Sequence, residues 1–379
     1  MNEKYNLGEI PFYYSPCKTS SNEHGLPNRL PFSLENRNGV LAQSDNETVV
    51  EALSQAYLIG SSISGLMDDS GPGQLYAEDF LQYIDSVTEE LNGKKVLEIG
   101  CGTGYLLSRL REFGANCVGV EPGSNAIYGM EKYRVSIIND FFSKDLFDEK
   151  FDYIIFYCVL EHMQNTSQFL EEVKSLLNDT GRIIVAVPDC EPYIQWGDAS
   201  MLLHEHWNYF TTLSLRNLLN SKGLRADISK SSYGGCIYAC AYMADYLQCA
   251  ESITDEVSNY VTLVKRQNDK IKELLERQYK IGHSVGIYVP GRLVNALSLM
   301  DLDSSVLETI RFFDDNKMLY KTYYPGFKIA IENFTDFLDN PTDTILIATF
   351  SFAKVIEEKI KSCNDKCEVI RIEELLNKV

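Results

Sequence analysis

A glycine-rich turn directly after a short apolar segment is the feature that most constrains the fold of this chain. Residues 95–99 predict a buried strand, and Gly100, Gly102 and Gly104 follow it at once. Leucines at positions 106, 107 and 110 then share one face of a predicted helix. Glycine permits a tight turn and lets a ligand approach the backbone amides at a helix N-terminus. The sequence therefore predicts a strand–turn–helix unit of an α/β fold with a ligand against the turn.

A second predicted strand, residues 116–120, ends in an acidic residue, Glu121. A carboxylate about twenty residues beyond such a turn can accept hydrogen bonds from both hydroxyls of a ribose. The glycine spacing departs from that of dinucleotide-binding folds, because Leu107 stands where the last glycine would be needed. These features favour a nucleoside-containing ligand and disfavour NAD.

The segment from about 95 to 224 resembles the class I methyltransferases that use S-adenosyl-L-methionine (SAM). The resemblance is carried by the loop from Glu98 to Gly104, by Asn139-Asp140-Phe141, and by strand-like runs at 151–156 and 181–188. It implies a Rossmann-like domain with SAM as the cofactor. The cofactor-binding residues that it implies are Glu98, Gly100, Cys101, Gly102, Gly104, Tyr105, Glu121, Pro122, Asp140, Phe141 and Tyr157.

Most of the chain also resembles the sugar C-methyltransferase family. The matching segments are 56–62, 204–206, 286–292, 313–317, 324–326 and 348–353. Members of that family carry zinc-binding cysteine pairs in the N-terminal lobe, where this chain has only Cys17, and tyrosines where Ile59 and Leu203 stand. The acceptor atom, oxygen, nitrogen or carbon, is therefore left open.

The resulting organisation is an α/β protein in several parts. We expect an N-terminal substrate-covering lobe over residues 1–75 and a Rossmann-like methyltransferase domain over 76–245. An amphipathic linking helix is expected at 246–279, and a smaller Rossmann-like domain at 280–379.

The candidate catalytic residues lie after the fifth predicted strand, at His204, Glu205 and His206. Histidine titrates near neutral pH, and a carboxylate can orient an imidazole, so either histidine is a candidate general base. The alternative is that one of them only bonds a backbone carbonyl. Tyr57 could replace one of the missing tyrosines, or could be a packing residue. No metal is expected, because the cysteines lack zinc spacing and the histidine pair has no evident third ligand.

Composition narrows the partners. The 54 acidic and 35 basic residues give a formal charge of −19, which disfavours nucleic acid. No signal peptide or membrane segment is evident, so we expect a cytoplasmic enzyme of a small-molecule substrate, with a nucleotide-linked sugar as the class that the resemblance implies. No pattern fixes an oligomeric state.

Two other functions remain open from the sequence. One is a SAM-binding regulatory protein without turnover, since the expected tyrosines are missing. The other is an NAD-dependent two-domain oxidoreductase, in which Asp314 and Asp315 end a strand of the C-terminal unit. We favour a C-terminal domain that packs on the SAM domain, with Arg292 as a candidate phosphate contact.

Overall fold

The computed structural model describes residues 3–13, 16–23, 25–59, 67–233, 235–244, 256–350 and 352–377, without the side chains of residues 58, 59, 72 and 377. The predicted motif at Gly60-Ser61-Ser62 and the expected start of the linking helix, residues 246–255, lie outside the described residues. Among the helices that the structure describes, none combines the length and apolar character needed to cross a membrane.

The N-terminal region forms three strands and one helix. These are β1 (Lys4–Pro11), β2 (Arg29–Arg37), β3 (Val40–Gln43) and α1 (Glu47–Ile59). β1 pairs antiparallel with β2, and β2 with β3. β3 in turn pairs with a two-residue strand from the centre of the chain, β9 (Asn208–Tyr209). The N-terminal lobe is therefore joined by backbone hydrogen bonds to the segment that carries the candidate catalytic residues.

The central region alternates strands and helices, as the sequence predicted. Its elements are α2 (Gly71–Val87), β4 (Lys95–Ile99), α3 (Tyr105–Glu112), β5 (Asn116–Val120), α4 (Asn125–Tyr133), β6 (Ile137–Ile138), β7 (Phe151–Tyr157), α5 (Thr166–Ser175), β8 (Leu177–Pro188), α6 (Glu191–Trp196), α7 (Thr212–Ser221), β10 (Leu224–Lys230) and β11 (Cys236–Met243). One-turn 3-10 helices lie at Lys144–Leu146, Leu160–His162 and Ala199–Met201.

The central sheet has the strand order β10-β11-β8-β7-β4-β5-β6. Five neighbouring strands, β8, β7, β4, β5 and β6, are parallel. β11 runs antiparallel to both β8 and β10. Apolar clusters cover both faces, which explains why strands such as β7 read as nearly continuous apolar runs. The predicted Rossmann-like α/β fold is confirmed. In such a sheet the carboxyl ends of β4 and β5, next to the strand-order reversal, form the crevice for ligands.

A long helix connects the central and C-terminal regions. α8 (Glu256–Lys280) buries one apolar face, as expected for an amphipathic helix. Its first half, with Tyr260 and Val264, packs on the N-terminal sheet, while Ile271 and Leu275 pack on the C-terminal sheet. The helix therefore packs on both the N-terminal and the C-terminal sheets.

The C-terminal region is a second α/β unit. It comprises β12 (Val285–Tyr288), a 3-10 turn at Pro290–Arg292, α9 (Val294–Leu299), α10 (Ser304–Leu307), β13 (Ile310–Phe313), β14 (Ile331–Glu332), α11 (Phe334–Asp339), β15 (Thr344–Ile347), α12 (Ala353–Cys363), β16 (Glu368–Arg371) and α13 (Ile372–Asn377). The parallel strands lie in the order β14-β13-β12-β15-β16. Four of these strands correspond to apolar runs predicted as strands, at 283–289, 310–313, 344–348 and 368–372, whereas the two-residue β14 is too short to show a pattern.

Candidate active site

The glycine turn adopts the backbone conformation for which glycine is needed. Gly100, Gly102 and Gly104 have φ values of 70°, 53° and 70°. A residue with a Cβ atom is strained there by about 1–2 kcal/mol. A Cβ atom on Gly100 would also lie 2.5 Å from Cγ2 of Val159, which follows β7. Both conformation and close packing therefore require glycine at position 100.

Glu121 closes the turn from the end of β5. Its carboxylate accepts hydrogen bonds from the amides of Gly102 at 3.1 Å and Gly123 at 2.7 Å. The Asn139 amide fixes the same loop by donating to the carbonyls of Glu121 and Gly123. An ionised carboxylate offers about four lone-pair positions, so this group, which is partly exposed, can still accept bonds from the hydroxyls of a ribose.

Glu98, the fourth residue of β4, brings a second carboxylate to the turn. Its side chain is only 3 % exposed, and Oε2 has no hydrogen-bond partner among the described residues. Burial, together with the nearby charge of Glu121, raises the pKa of Glu98 well above its ordinary value. A cation at the turn would stabilise both ionised carboxylates. The residues therefore fit SAM, which carries an ammonium and a sulfonium group beside a ribose.

Other residues of the predicted cofactor set lie at the rim of the same crevice. Pro122, Asp140 and Phe141 follow β5 and β6 and are exposed, with Phe141 at 66 %. Oδ1 of Asp140 accepts a hydrogen bond from the amide of Phe141 at 2.7 Å. An exposed aromatic ring beside a carboxylate at this end of the sheet is suited to the edge and face of an adenine.

Three members of the predicted set have side chains packed into the protein. The Cys101 thiol is buried behind the turn in an apolar cluster, so only its backbone faces the turn. The buried Tyr105 ring packs on Tyr133. The Tyr157 ring packs 5.1 Å from that of Phe80 on α2. Each of these side chains therefore makes packing contacts within the protein, and their contact with a cofactor stays a prediction.

Residues 67–70, which precede α2 and were not predicted as part of the site, lie against the turn. The Thr103 hydroxyl donates to the carbonyl of Met67 at 3.0 Å. Lys132 of α4 forms ion pairs with Asp68 at 3.1 Å and Asp69 at 2.9 Å. The only signal for this segment was the pair of aspartates, because residues outside regular elements show no periodicity.

The candidate catalytic groups come from two segments that meet beside the turn. The 3-10 helix Leu160–His162 follows Val159, the residue that contacts Gly100. The Trp207 amide donates to the carbonyl of Glu161 at 2.8 Å, and the Asn208 side chain donates to that of Met163 at 2.7 Å. The short strand β9 thus brings the predicted His-Glu-His segment against Glu161 and His162.

Four ionisable side chains form the resulting cluster: Glu161, His162, Glu205 and His206. His162 Nδ1 is 2.9 Å from the carbonyl oxygen of Glu205, and its Nε2 is 3.9 Å from Oε1 of Glu161. The rings of His162 and His206 meet edge to face, with centroids 4.9 Å apart. Glu205 and His206 are among the catalytic candidates predicted from the sequence, whereas Glu161 and His162 are not.

Burial governs the protonation of this cluster. It raises the pKa of Glu161 to about 7 and raises that of Glu205. It also lowers the pKa of His206 well below its ordinary value, with a further contribution from His162. His206 is therefore a neutral imidazole at neutral pH, with a lone pair able to accept a proton or bind a metal ion.

His204 has a different environment. Its ring is 4 % exposed and packs edge-on against Phe12 and Phe32, with centroids 5.6 and 5.3 Å away. Its Nε2 lies 3.3 Å from the carbonyl oxygen of Leu30, and burial lowers its pKa to about 4. The structure thus supports the alternative considered from the sequence, in which one histidine bonds a backbone carbonyl.

Tyr57 of α1 lies at the edge of the cluster and is 39 % exposed. Desolvation, followed by the charges of Glu205 and Glu161, raises its pKa. The N-terminal lobe therefore contributes a tyrosine to the surroundings of the cluster. Leu203, where the resemblance led us to expect a tyrosine, instead has its backbone bonded to the hydroxyl of Tyr209.

Arg292 does not present a free guanidinium to a phosphate. It pairs with Asp198 at 2.9 Å and donates to the Tyr193 hydroxyl at 3.2 Å. The predicted phosphate contact conflicts with this arrangement, in which the arginine instead joins the C-terminal unit to the central region. At the end of β13, Asp315 is similarly engaged by Lys359 at 2.7 Å.

Comparisons with known proteins agree with the turn geometry. The family model described as "Methyltransferase domain" matches residues 75–227. The chain is 31 % identical over 118 residues to a ubiquinone biosynthesis O-methyltransferase of Glaesserella parasuis serovar 5 (strain SH0165), covering 28 % of this chain and 50 % of the relative. It is 25 % identical over 295 residues to the C-methyltransferase NovU of Streptomyces niveus, covering 71 % of this chain and 70 % of NovU.

The match thus spans about half the length of the first of these relatives. Among solved structures, the chain is similar to magnesium protoporphyrin IX methyltransferase from Synechocystis PCC 6803 with bound SAH, with a TM-score of 0.38 and 16 % identity over 45 % of this chain and 83 % of that one. The matched domain, the sheet and the glycine turn together identify residues 75–227 as a class I SAM-dependent methyltransferase domain.

Proposed function

We propose that this protein transfers the methyl group of SAM to a small polar metabolite, and that the metabolite is a nucleotide-linked sugar of glycan or natural-product biosynthesis. One observation carries the proposal. Val159 packs against Gly100 of the turn, and Glu161 and His162 follow it directly, beside His206. Groups able to move a proton therefore lie next to the turn that fits the methyl donor.

Methyl transfer from a sulfonium is an in-line displacement, so the protein must align the acceptor with the methyl carbon. Bound SAM would supply an electrophilic methyl group. The turn, Glu98 and Glu121 would hold SAM, while the neutral His206 would take a proton from a hydroxyl or carbon acid. His204 is left out of this role because its ring is enclosed by Phe12 and Phe32.

The substrate class rests on two supports. The similarity to NovU, whose name describes a C-methyltransferase, extends over most of both chains. The N-terminal sheet also pairs with β9, so that the lobe and Tyr57 adjoin the proton-moving cluster. Since Leu203 stands where a tyrosine is expected, transfer to oxygen or nitrogen stays within the proposal.

The test measures formation of S-adenosylhomocysteine with a panel of nucleotide-sugars. We expect turnover with at least one of them, and loss of turnover with retained SAM affinity in His206→Ala. His283→Ala is the matched control, because His283 bonds Gln278 in the C-terminal region. SAM binding without product across the panel would favour a regulatory protein. Thermal stabilisation by NAD alone would favour an oxidoreductase.

A further inference from the structure

The cluster beside the turn contains a set of metal-ligand atoms that the sequence did not reveal. One carboxylate oxygen of Glu161, one ring nitrogen of His162 and one of His206 lie within 4.8 Å of one another. We propose that these three side chains bind a divalent transition-metal ion of the Zn²⁺ type, whose open position takes an oxygen atom of the methyl acceptor.

The donor set suits such an ion. Imidazole nitrogen and carboxylate oxygen are ligands of Zn²⁺, and two histidines with one glutamate leave a fourth position open. Ligand atoms around tetrahedral zinc are about 3.3 Å apart, given bond lengths of about 2.0–2.2 Å. The three atoms, which lie up to 4.8 Å apart, would therefore close by up to roughly 1.5 Å on binding, which small side-chain rotations can provide.

The environment of Glu161 is an independent indication of a missing cationic partner. Its side chain is 1 % exposed. Both carboxylate oxygens are buried, and under strict hydrogen-bond geometry neither has a partner among the described residues. The Cys158 thiol and a backbone amide lie near enough to lower the pKa of Glu161, but neither carries the positive charge that would neutralise a buried carboxylate. Burying an unpaired carboxylate is costly, and a bound cation removes that cost.

Backbone contacts hold two of the ligands in place. His162 Nδ1 is 2.9 Å from the Glu205 carbonyl oxygen, which selects the tautomer whose Nε2 lone pair is free for a metal. The Glu161 carbonyl accepts a hydrogen bond from the Trp207 amide at 2.8 Å. A histidine ligand whose second nitrogen donates to a carbonyl is the usual arrangement around protein-bound metals.

The chemical consequence rests on the proposed methyl transfer. A hydroxyl bound to the ion loses its proton to water more readily, because the ion stabilises the alkoxide. The oxygen then forms a bond to the methyl carbon as the carbon–sulfur bond breaks, and the sulfonium leaves as the thioether S-adenosylhomocysteine. With the ion bound, His206 is a metal ligand, and the ion takes over the task of activating the hydroxyl that the metal-free site leaves to His206. The missing tyrosines would then be replaced by a Lewis acid.

The test is titration of the chelator-treated, full-length protein with ZnCl₂ by calorimetry, with metal analysis of the dialysed complex. We expect one ion per chain for the wild type and at least about 100-fold weaker binding in Glu161→Gln, an isosteric change. His283→Ala is the control for a histidine outside the cluster and should bind like the wild type. Equal zinc affinity in wild type and Glu161→Gln, or no stoichiometric binding, would overturn the proposal in favour of a proton on Glu161.

A second readout covers the case in which Glu161→Gln fails to fold. Co²⁺ added to the wild type should give the visible absorption bands of a four-coordinate site, and His162→Ala should lose them. Bands that persist in a folded His162→Ala would contradict the ligand set. SAM binding and product formation are measured in separate assays. Turnover by a protein that binds no metal would therefore contradict only the metal proposal. A loaded metal site without product would instead count against the proposed function.

Discussion

Replacing Gly100 by alanine should separate the cofactor turn from the catalytic segment that packs on it. The substitution places a Cβ atom in a left-handed conformation, with φ at 70°. It also brings that atom to 2.5 Å from Cγ2 of Val159, more than about 1 Å inside ordinary contact. Val159 is β-branched and has few alternative rotamers, so the backbone must move.

The expected cost follows from these two effects. The left-handed conformation costs about 1–2 kcal/mol for a residue with a Cβ atom. Overpacking adds about 1–3 kcal/mol, so the total is about 2–5 kcal/mol before any relaxation. Because the strain falls on the cofactor turn, we expect SAM affinity to fall at least tenfold, which corresponds to about 1.4 kcal/mol.

Urea denaturation and SAM calorimetry measure these contributions on four variants, which are Gly100→Ala, Val159→Ala, the double variant and the control Gly223→Ala. Gly223→Ala is the matched control, because φ is 74° there and a Cβ atom would meet nothing within 4 Å. Its free energy of unfolding should fall only by the cost of the left-handed conformation, about 1–2 kcal/mol, and its SAM affinity should stay normal. Adding Val159→Ala to Gly100→Ala removes the clashing Cγ2 and should recover about 1–3 kcal/mol of coupling energy in a double-mutant cycle.

Equal destabilisation by the two glycine substitutions, with no coupling to Val159, would refute the steric part of this reasoning. Normal SAM affinity in a folded Gly100→Ala protein would refute the assignment of the turn to the cofactor.

Three further substitutions test other residues. Glu121→Gln should weaken SAM binding about 10–100-fold in calorimetry, because an amide has one acceptor oxygen where the carboxylate now serves two glycine amides as well as the ligand. His204→Ala should lower the free energy of unfolding by about 2–4 kcal/mol in urea, through a cavity between two phenylalanines, and leave SAM affinity unchanged. Arg292→Ala should lower the free energy of unfolding by about 1–3 kcal/mol, since Asp198 loses its half-buried partner.

For each of these substitutions, one outcome would contradict the expected result. Unchanged affinity in Glu121→Gln would remove the carboxylate from the cofactor site. A stable His204→Ala protein that lost only turnover would return this histidine to the role of base. For Arg292→Ala, wild-type stability combined with a raised KM for phosphate-bearing acceptors alone would restore the phosphate contact expected from the sequence.

The features that sequence reasoning found are those fixed by neighbours along the chain. The glycines at 100, 102 and 104 permit the left-handed backbone that a tight turn needs, and all three adopt it. The continuous apolar run of β7 signals a strand covered on both faces. The stripe of α8 predicted its buried residues. Each property depends on local spacing, which is present in the sequence itself.

The catalytic cluster could not be found in the same way. His162 meets the carbonyl of Glu205 across 43 positions of sequence, so their proximity depends on the tertiary fold. The strands that create it, β9 and its partner β3, pair through only two residues of β9, too few to show alternation. A two-residue strand gives no periodic signal.

The roles of His204 and His206 also depended on tertiary structure. The His206 amide bonds the Leu203 carbonyl at 3.0 Å, which turns the chain between the two histidines. The turn sends one ring between Phe12 and Phe32 and the other against His162. Nothing in the sequence of this segment marks that turn, because it contains neither glycine nor proline.

The most direct test of the account is calorimetric titration of the purified, folded protein with SAM and with S-adenosylhomocysteine. The geometry of the turn, with Glu98 and Glu121 beside it, predicts saturable binding of both at one molecule per chain, and no comparable binding of NAD. A flat titration with both compounds would contradict the assignment of this crevice to the methyl donor, and with it every role proposed for the neighbouring cluster.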